Sequence, residues 1–235
     1  MDRIEIYWGA DIDFEEATKA LEDVNFLVDI FNHINKTDLK IEGVGEKKDP
    51  PMEVENLLIH TDDYGGVREW ALLGFSNNIL RNLKVDIKNL WLCNPPIKIY
   101  EDIVKNYDKE IIQEHKTLYP EITIADMCKM SEGFDEAVIG QAHVMKQSLA
   151  SIYALRNNER KRPVTLLFLG DSGIGKTETA KYISSCLGAD MLRIQFSMQQ
   201  TNSAHQYIFG AEHGEDSLAR ELIRRNSNVI LLDEF

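Results

Sequence analysis

A glycine-rich segment that follows an apolar run carries the residues best suited to chemistry. The run is Val164–Leu169, and the segment Gly170–Thr177 reads GDSGIGKT, which matches the spacing G-x-x-x-x-G-K-[ST]. Glycines let the backbone turn with its N–H groups pointing at an anion, and the dipole of a helix that begins there adds positive potential. The pattern therefore predicts a strand, a phosphate-binding loop and a helix in succession.

The polar groups of this loop have predicted tasks. Lys176 is expected to reach the β- and γ-phosphates of a nucleotide, and the Thr177 hydroxyl is expected to ligate Mg²⁺. Apolar residues at helical spacing within Thr179–Leu187 indicate that the helix continues. A glycine-rich turn that binds no ligand is the alternative interpretation. The residues predicted to contact the nucleotide here are Gly170, Asp171, Ser172, Gly173, Ile174, Gly175, Lys176, Thr177 and Glu178.

Two acidic residues follow a second apolar run. Val229–Leu232 is typical of a buried parallel strand, and Asp233 and Glu234 come directly after it. Asp233 is expected to hold Mg²⁺, mostly through water, and Glu234 to orient and deprotonate the attacking water. Because ligands bind at the carboxyl ends of the strands in open α/β sheets, Thr177 and Asp233 are predicted to converge there. An accidental pair of acids after a strand is the alternative.

The elements that must position these residues begin near residue 138. Besides the two strands already described, the pattern predicts a helix over Ala142–Arg156, a strand over Met191–Phe196, a short helix around Thr201–Phe209 and a helix over Ser217–Asn226. Strands that alternate with helices favour an α/β fold with a parallel sheet. The predicted fold class is therefore a P-loop NTPase sheet that is incomplete, because the sequence stops at its acidic strand.

The N-terminal half has its own predicted elements. We expect strands at Ile4–Trp8, Leu57–His60 and Leu90–Cys93. We also expect one helix of about six turns between Phe14 and Ile34, a second over Val67–Leu83 and a third over Tyr100–Leu118. This mixture predicts a smaller α+β domain. His60, Asp62 and Asp63 are a candidate metal cluster, but their spacing lacks the regularity of a metal motif, and an acidic turn is the competing interpretation.

Charge divides the chain in the same way. The net charge is −13 over 235 residues; residues 1–135 hold 15 Lys and Arg against 28 Asp and Glu, whereas the remainder holds 11 of each. We therefore predict an acidic domain of unknown role at residues 1–130, a linker at 131–137 and a nucleotide-binding core at 138–235. The excess of acids argues against nucleic acid or an anionic membrane as a partner.

Composition also bears on the compartment. The three cysteines, Cys93, Cys128 and Cys186, are dispersed, which favours reduced thiols over a disulfide framework. The sequence shows neither an apolar run of membrane-spanning length nor a secretory signal at its start. A cytoplasmic protein is the expectation.

Taken together, the motifs resemble those of the AAA+ ATPases, in particular the Clp-type, heat-shock disaggregase-like branch. The matching stretches are Val138–Gln141 (VIGQ), Phe168–Lys181, Arg193–Ser197, Gly210–Ala211 and Leu218–Phe235. The resemblance implies that Val138 and Ile139 sandwich the adenine base. It further implies ATP and Mg²⁺ as cofactors, hydrolysis in which Glu234 and Lys176 are catalytic, a homo-oligomeric ring, and a protein client that the sequence does not identify.

Two departures from that family limit what is carried over. The segment Gly210–Leu218 is shorter than the family's pore loop and lacks its aromatic residue, which argues against protein threading. The family also continues past this point with a sensor residue, an arginine finger and a helical lid, so we expect a fragment of a longer protein and a weak or inactive ATPase on its own. The alternative function is a nucleotide-gated switch or assembly module, of signalling or defence type, with incidental hydrolysis; a nucleic-acid remodeller is a third candidate.

Overall fold

The computed structural model describes residues 1–38, 52–66, 73–81, 85–156, 162–188, 191–198, 201–210 and 217–234. The chain divides into two compact units. The first unit comprises Met1–Thr117 together with His205–Arg225, and the second comprises Leu118–Ala204 together with Asn226–Phe235. The predicted division at residues 131–137 stays a prediction. Residues 211–216, which include most of the shortened pore-loop segment, lie outside the described residues.

The first unit is built on a five-stranded sheet in which every pair of neighbouring strands is parallel. Its strand order is β2-β3-β4-β1-β5. The strands are β1 (Arg3–Trp8), β2 (Val24–Phe26), β3 (Met52–Ile59), β4 (Val85–Cys93) and β5 (Ile112–Lys116). A wholly parallel sheet makes this unit α/β, so the predicted α+β class was wrong for the N-terminal half.

The central strands of this sheet are covered on both faces. On one face, Ile4 and Ile6 of β1 lie opposite Leu90 and Leu92 of β4, and all four are fully buried. On the other face, Trp91 and Cys93 of β4 are buried as well. Strands buried on both faces read as near-continuous apolar runs, which is why β1, β3 and β4 were recognisable in the sequence. The predictions at Ile4–Trp8, Leu57–His60 and Leu90–Cys93 are confirmed as strands, with extended bounds for the last two.

The single long helix expected between Phe14 and Ile34 is instead two helices with a strand between them. Helix α1 spans Asp11–Thr18, helix α2 spans Leu27–Asp38, and β2 lies between them and pairs with β3. Asp23, just before β2, has a φ of +50°, a left-handed conformation that no helix interior accommodates. Apolar residues therefore recur at helical spacing here without forming one continuous helix.

The helix expected over Tyr100–Leu118 also divides. Helix α3 spans Ile97–Asn106, Tyr107 is extended, and the chain then forms β5, which pairs with β1. The apolar side chains of Ile111 and Ile112 are compatible with a helix or a strand. Pairing of Ile112 with Ile4 of β1 favours the strand. A helix was also predicted at 67–83, of which residues 67–72 and 82–83 lie outside the described residues. In the described part, Ser76–Arg81 forms a short π-helical segment.

The described part of the second unit contains three α-helices that lie wholly within it and a two-stranded parallel sheet. The helices are α4 (Ile124–Ala137), α5 (Ala142–Arg156) and α6 (Lys176–Cys186), and the strands are β6 (Leu192–Gln195) and β7 (Ile230–Asp233). Helix α4 packs against both α5 and α6. Residues 131–137, predicted as a linker, form the second half of α4. This helix starts at a capping box formed by Thr123 and Asp126. The core comprises Met130, Phe134, Val138, Met145, Ile152 and Ile183.

The apolar run before the glycine-rich loop behaves differently from its prediction. Residues 164–169 carry no strand pairing in the described structure, although their side chains alternate between half-buried and exposed. Leu167 and Leu169 are about four-fifths exposed, at 78% and 81%. The expected strand is therefore absent from the described sheets of the second unit.

Two further helices, α7 (Thr201–Phe209) and α8 (Leu218–Arg224), match their sequence predictions closely. Ser217 caps α8, its hydroxyl accepting a hydrogen bond from the backbone N–H of Arg220. Within the described residues, no helix is long and apolar enough to cross a membrane.

Candidate nucleotide-binding site

The glycines of the predicted phosphate-binding loop adopt conformations that a side chain would oppose. Gly170 and Gly175 have φ values of +149° and +95°. A Cβ on Gly175 would lie 2.7 Å from Val138 Cγ1, and one on Gly170 would lie 2.4 Å from Ile174 Cδ1. Gly175 therefore favours glycine for both conformation and space, whereas at Gly170 the clash is with the tip of a flexible side chain and the requirement is conformational. The phosphate-binding role of the loop stays a prediction.

Lys176 closes the loop from its C-terminal side. Its Nζ donates hydrogen bonds to the carbonyl oxygens of Gly170, at 2.8 Å, and Asp171, at 2.7 Å. The ammonium group therefore lies over the first residues of the loop, where residues 170–174 are exposed to solvent. An anion entering the loop would meet this positive charge together with backbone N–H groups.

Helix α6 begins at Lys176, immediately after the loop. Gly175 is its N-cap in the left-handed conformation, and the Thr179 hydroxyl and backbone N–H both donate to Gly175 O at 2.8 Å. Thr177 and Glu178 therefore occupy the first turn, where backbone N–H groups lack helical partners and favour an anion. Glu178 pairs with Lys181 at 2.7 Å on the exposed side of the helix.

The VIGQ segment lies against the same loop. Val138 is 4% exposed and packs onto Gly175, whereas Ile139 is 87% exposed. Gln141 Nε2 donates to Ile174 O at 3.3 Å, which ties the end of the segment to the loop. The structure thus brings Val138 to the loop. The prediction that Val138 and Ile139 sandwich a base stays a prediction, and Gln141 is a contact that the sequence-based site residues did not include.

Asp233 ends β7 and pairs with an arginine of the neighbouring strand. Its Oδ2 accepts hydrogen bonds from Arg193 Nε, at 3.0 Å, and Arg193 Nη2, at 2.5 Å. Among the described residues, hydrogen bonds join Asp233 to Arg193 and not to Thr177. Glu234 follows with a φ of +56° and is exposed. The predicted convergence of Thr177 with Asp233 therefore stays a prediction.

Arg193 is the partner of Asp233 that sequence reasoning missed. Its partner is set by register, because β6 and β7 are parallel with Arg193 opposite Leu231 and Gln195 opposite Asp233. The available signal was an arginine in one predicted strand and an acid ending the other. Only the pairing shows that these two side chains meet.

The groups present fit Mg²⁺ and a polyphosphate. A hydroxyl at Thr177 and a carboxylate at Asp233 are oxygen ligands, and Mg²⁺ is commonly held by one or two protein groups together with substrate phosphates and water. The described residues contain no group of three or more His, Cys, Asp and Glu able to hold a metal. The loop before this hydroxyl has positive φ values at Gly170, Gly173 and Gly175, conformations that let successive backbone N–H groups turn toward an anion.

The second polar cluster of the sequence analysis forms a turn. Asp63 Oδ2 accepts the backbone N–H of His60 at 2.8 Å, and its carboxylate lies 3.7 Å from His60 Nδ1. The side-chain hydrogen bond to Asp63 raises the pKa of His60, while burial acts in the opposite direction. The contacts are those of an acidic turn that begins after β3.

Comparison with known proteins gives relatives for less than half of the chain. No family model matches. The chain is 34% identical over 119 residues to the chaperone protein ClpB of Chlamydia pneumoniae, which covers 45% of this chain and 14% of that protein. It is 35% identical over 112 residues to ClpB of Bacteroides thetaiotaomicron, covering 43% and 12%.

A third relative is the negative regulator of genetic competence ClpC/MecB of Bacillus subtilis, 31% identical over 112 residues, which covers 43% of this chain and 13% of that protein. The chain thus spans only a small part of the curated relatives it matches. These relatives are Clp proteins, in agreement with the resemblance inferred from the motifs. Under half of this chain is therefore homologous to the Clp-type AAA+ ATPases, represented by ClpB and ClpC.

Proposed function

We propose that residues 138–235 bind Mg-ATP and hydrolyse it, so that the nucleotide state drives a conformational change or the remodelling of a partner. One observation carries the proposal. Lys176 lies across a loop whose glycines at 170 and 175 have positive φ values, at the start of a helix. This combination provides a positive charge, free N–H groups and space at one point.

Each side chain has a task in this proposal. Lys176 binds the β- and γ-phosphates, and its ammonium stabilises the charge that develops during transfer. Thr177 and Asp233 hold Mg²⁺, which neutralises phosphate charge when bound. Glu234 orients the attacking water and accepts its proton. Val138, with Ile139, contacts the base. For Asp233 to take this role, its carboxylate exchanges the Arg193 guanidinium for the hydrated metal.

The proposed oligomer follows from the chemistry of the family. In AAA+ proteins an arginine from a neighbouring subunit completes the site, and such a residue stabilises the transition state strongly. We therefore propose a homo-oligomeric ring for the complete protein and slow hydrolysis by this chain alone. The client is a protein whose identity neither the site nor the relatives specify.

Single-turnover hydrolysis tests the catalytic assignment. The chain, in excess over labelled ATP, is compared with Glu234→Gln and with Glu132→Gln, which removes an exposed carboxylate of α4. We expect Glu234→Gln to keep its affinity for ATP and to lose about 100-fold in the rate constant, the usual cost of removing a general base. Equal rates for all three proteins would exclude Glu234 as the base.

A nucleotide-gated switch is the second candidate. Two observations favour it over a threading motor: the segment 210–218 has no aromatic residue, and Asp233 is held by Arg193 in a pair that ATP binding would have to exchange. Analytical ultracentrifugation of Glu234→Gln with ATP separates the two functions. If the variant still assembles with ATP and the complete protein still acts on its partner, the switch is supported. If it assembles but no longer acts on its partner, the motor is supported.

A further inference from the structure

We propose that α8 latches onto the carboxyl edge of the five-stranded sheet through Arg220 and Arg224, and that this latch regulates the ATP site. The regulatory part rests on the function proposed above. Helix α8 lies within the stretch that resembles the nucleotide module, yet it belongs to the same compact unit as the N-terminal sheet. The latch is defined here as Arg220 and Arg224 with their acceptors Asp11 and Asp62.

The acceptor groups are fixed in place by the ends of the parallel strands. Asp11 follows β1 and uses its Oδ1 to accept hydrogen bonds from the Thr61 hydroxyl, at 3.0 Å, and Asn94 Nδ2, at 3.3 Å. Asn94 is itself tied to Gly9 through both of its amide atoms, at 2.8 and 2.9 Å. One oxygen of Asp11 is therefore held by the sheet, and Oδ2 is presented to a cation.

Arg224 fills that position. Its Nε donates to Asp11 Oδ2 at 2.5 Å, and its Nη1 donates to Asp62 Oδ1 at 3.0 Å. The fork of a guanidinium thus bridges the loops that follow β1 and β3. Such charge-assisted pairs combine directional hydrogen bonds with attraction, and lysine cannot reproduce the geometry.

Arg220 adds a second connection one helical turn earlier. Its Nη2 donates to the Asp62 carboxylate and to Thr61 O, the latter at 3.2 Å. The Arg220 side chain is 16% exposed and the Asp62 side chain 66% exposed, so the arginine is mostly covered while its acceptor is open to solvent. Residues four apart on a helix share a face. The two arginines therefore present a single cationic face, and the sheet edge is its acidic complement.

The latch bears on the ATP site through the chain. Helix α8 ends at Arg224 and β7 begins at Ile230, and six residues span at most about 20 Å. Asp233 and Glu234 lie at the end of β7. A displacement of α8 beyond the reach of this short connection would therefore pull on β7 and move both acids. Reciprocally, a shift of β7 on ATP binding would strain or relieve the latch, since coupling between two sites acts in both directions.

Hydrogen exchange of α8 tests the latch. Amides of residues 221–224 are followed in the whole chain, in Asp11→Asn with Asp62→Asn, and in the control Glu55→Gln, which removes a carboxylate paired with Lys88 on the same sheet. We expect exchange of these amides to rise about tenfold or more in the double variant, as protection falls with lost tertiary contacts, and to be unchanged in the control. Equal exchange in all three proteins would overturn the latch.

A charge exchange tests the pairing itself. Asp11→Arg and Arg224→Asp are each expected to raise exchange in α8, and the two together to restore a large part of the protection. Failure of the pair to restore it, with the fold intact by circular dichroism, would show that the sheet edge does not hold α8 through these charges.

The regulatory part has its own measurement. The affinity for ATP is compared between the wild-type chain, the Asp11→Asn/Asp62→Asn variant and Glu55→Gln. A change of about threefold or more in the double variant alone supports coupling; equal affinities overturn it. A wild-type chain that binds no ATP overturns the proposed function and the regulation with it, whereas the exchange result decides the latch by itself.

Discussion

At the scale of single residues, the loop depends on glycine at a position that a neighbouring segment presses upon. Gly175 has a positive φ and would place a Cβ against Val138, which is itself buried. Gly188 also has a positive φ, +73°, but a Cβ there meets nothing within 4 Å. The two positions separate the cost of backbone conformation from the cost of a steric clash.

We expect Gly175→Ala to lower the free energy of unfolding by about 2–3 kcal/mol, because it adds an overpacking cost to the backbone cost. Gly188→Ala should lower it by about 1 kcal/mol, the backbone cost alone. Urea unfolding of both variants measures the difference. Equal losses would show that Val138 does not pack on the loop as described.

The turn after β3 predicts a pH dependence. The pKa of His60 is raised, chiefly by its hydrogen bond to Asp63, so the protonated ring stabilises the folded state. That contribution is fully present below the ordinary pKa of about 6.5 and is lost as the pH rises through the raised folded value. We expect the melting temperature of wild type to exceed that of Asp63→Asn by more at pH 5.5 than at pH 8.5.

Calorimetry of the two proteins across this range gives the answer. His60→Gln serves as the control, since its difference from Asp63→Asn should not vary with pH between these limits. A wild-type advantage that grows with rising pH would contradict the assigned pairing.

Residue types, rather than contacts, explain what the sequence made predictable at this scale. The loop Gly170–Thr177 is recognisable because its glycines and Lys176 act within a few residues of one another. Arg193 and Asn94 were not recognised as site or network residues, because their partners are Asp233 and Gly9 and only strand pairing brings those together. Local chemistry is readable; register is not.

At the scale of elements, the edge strand β5 is fixed to β1 by a buried charge. Glu5 of β1 is completely buried and pairs with Arg3 and with His115 of β5. The His115 and Tyr7 rings stack at 4.4 Å, so the histidine also covers β1 by packing. A short edge strand is thereby tied to the sheet at its middle.

Replacing His115 should therefore loosen β5. We expect His115→Ala to lower the free energy of unfolding by about 1–3 kcal/mol, because it leaves a buried carboxylate with one partner fewer. Lys116→Ala, the next residue of the same strand, is expected to change it by less than about 0.5 kcal/mol. Losses of equal size in the two variants would contradict the role given to the Glu5 pair.

Elements were predictable in proportion to their burial and length. Strands β1, β3 and β4 form long buried runs, and each was expected where the structure has it. The short strands β2 and β5 were read as parts of helices, because three to five residues carry too little periodicity to distinguish the two. Because these two strands were not predicted, the parallel α/β sheet was not recognised and an α+β domain was expected instead.

At the scale of the whole molecule, charge is unevenly distributed: residues 1–135 are acidic, and the rest of the sequence is neutral. All of the excess negative charge lies in residues 1–135. The latch proposed for α8 uses two of those acids and two of the few arginines near the end of the sequence. Such pairs weaken as salt screens them over about 8 Å at physiological ionic strength.

Salt should therefore loosen α8 specifically. We expect exchange of the amides in 221–224 to accelerate between 0.05 and 1 M NaCl, roughly severalfold, while amides of β4 stay protected. In the Asp11→Asn/Asp62→Asn variant the salt effect on α8 should disappear. A salt effect of the same size in that variant would assign it to something other than the latch.

The central claim is that Lys176 and its loop bind ATP, and isothermal titration calorimetry tests it most directly. Wild type, Lys176→Ala and Lys181→Ala are titrated with Mg-ATP; Lys181 lies on the same helix and pairs with Glu178 at the surface. We expect wild type and Lys181→Ala to bind Mg-ATP and Lys176→Ala to bind it at least about tenfold more weakly. Equal affinity of Lys176→Ala and wild type would contradict it.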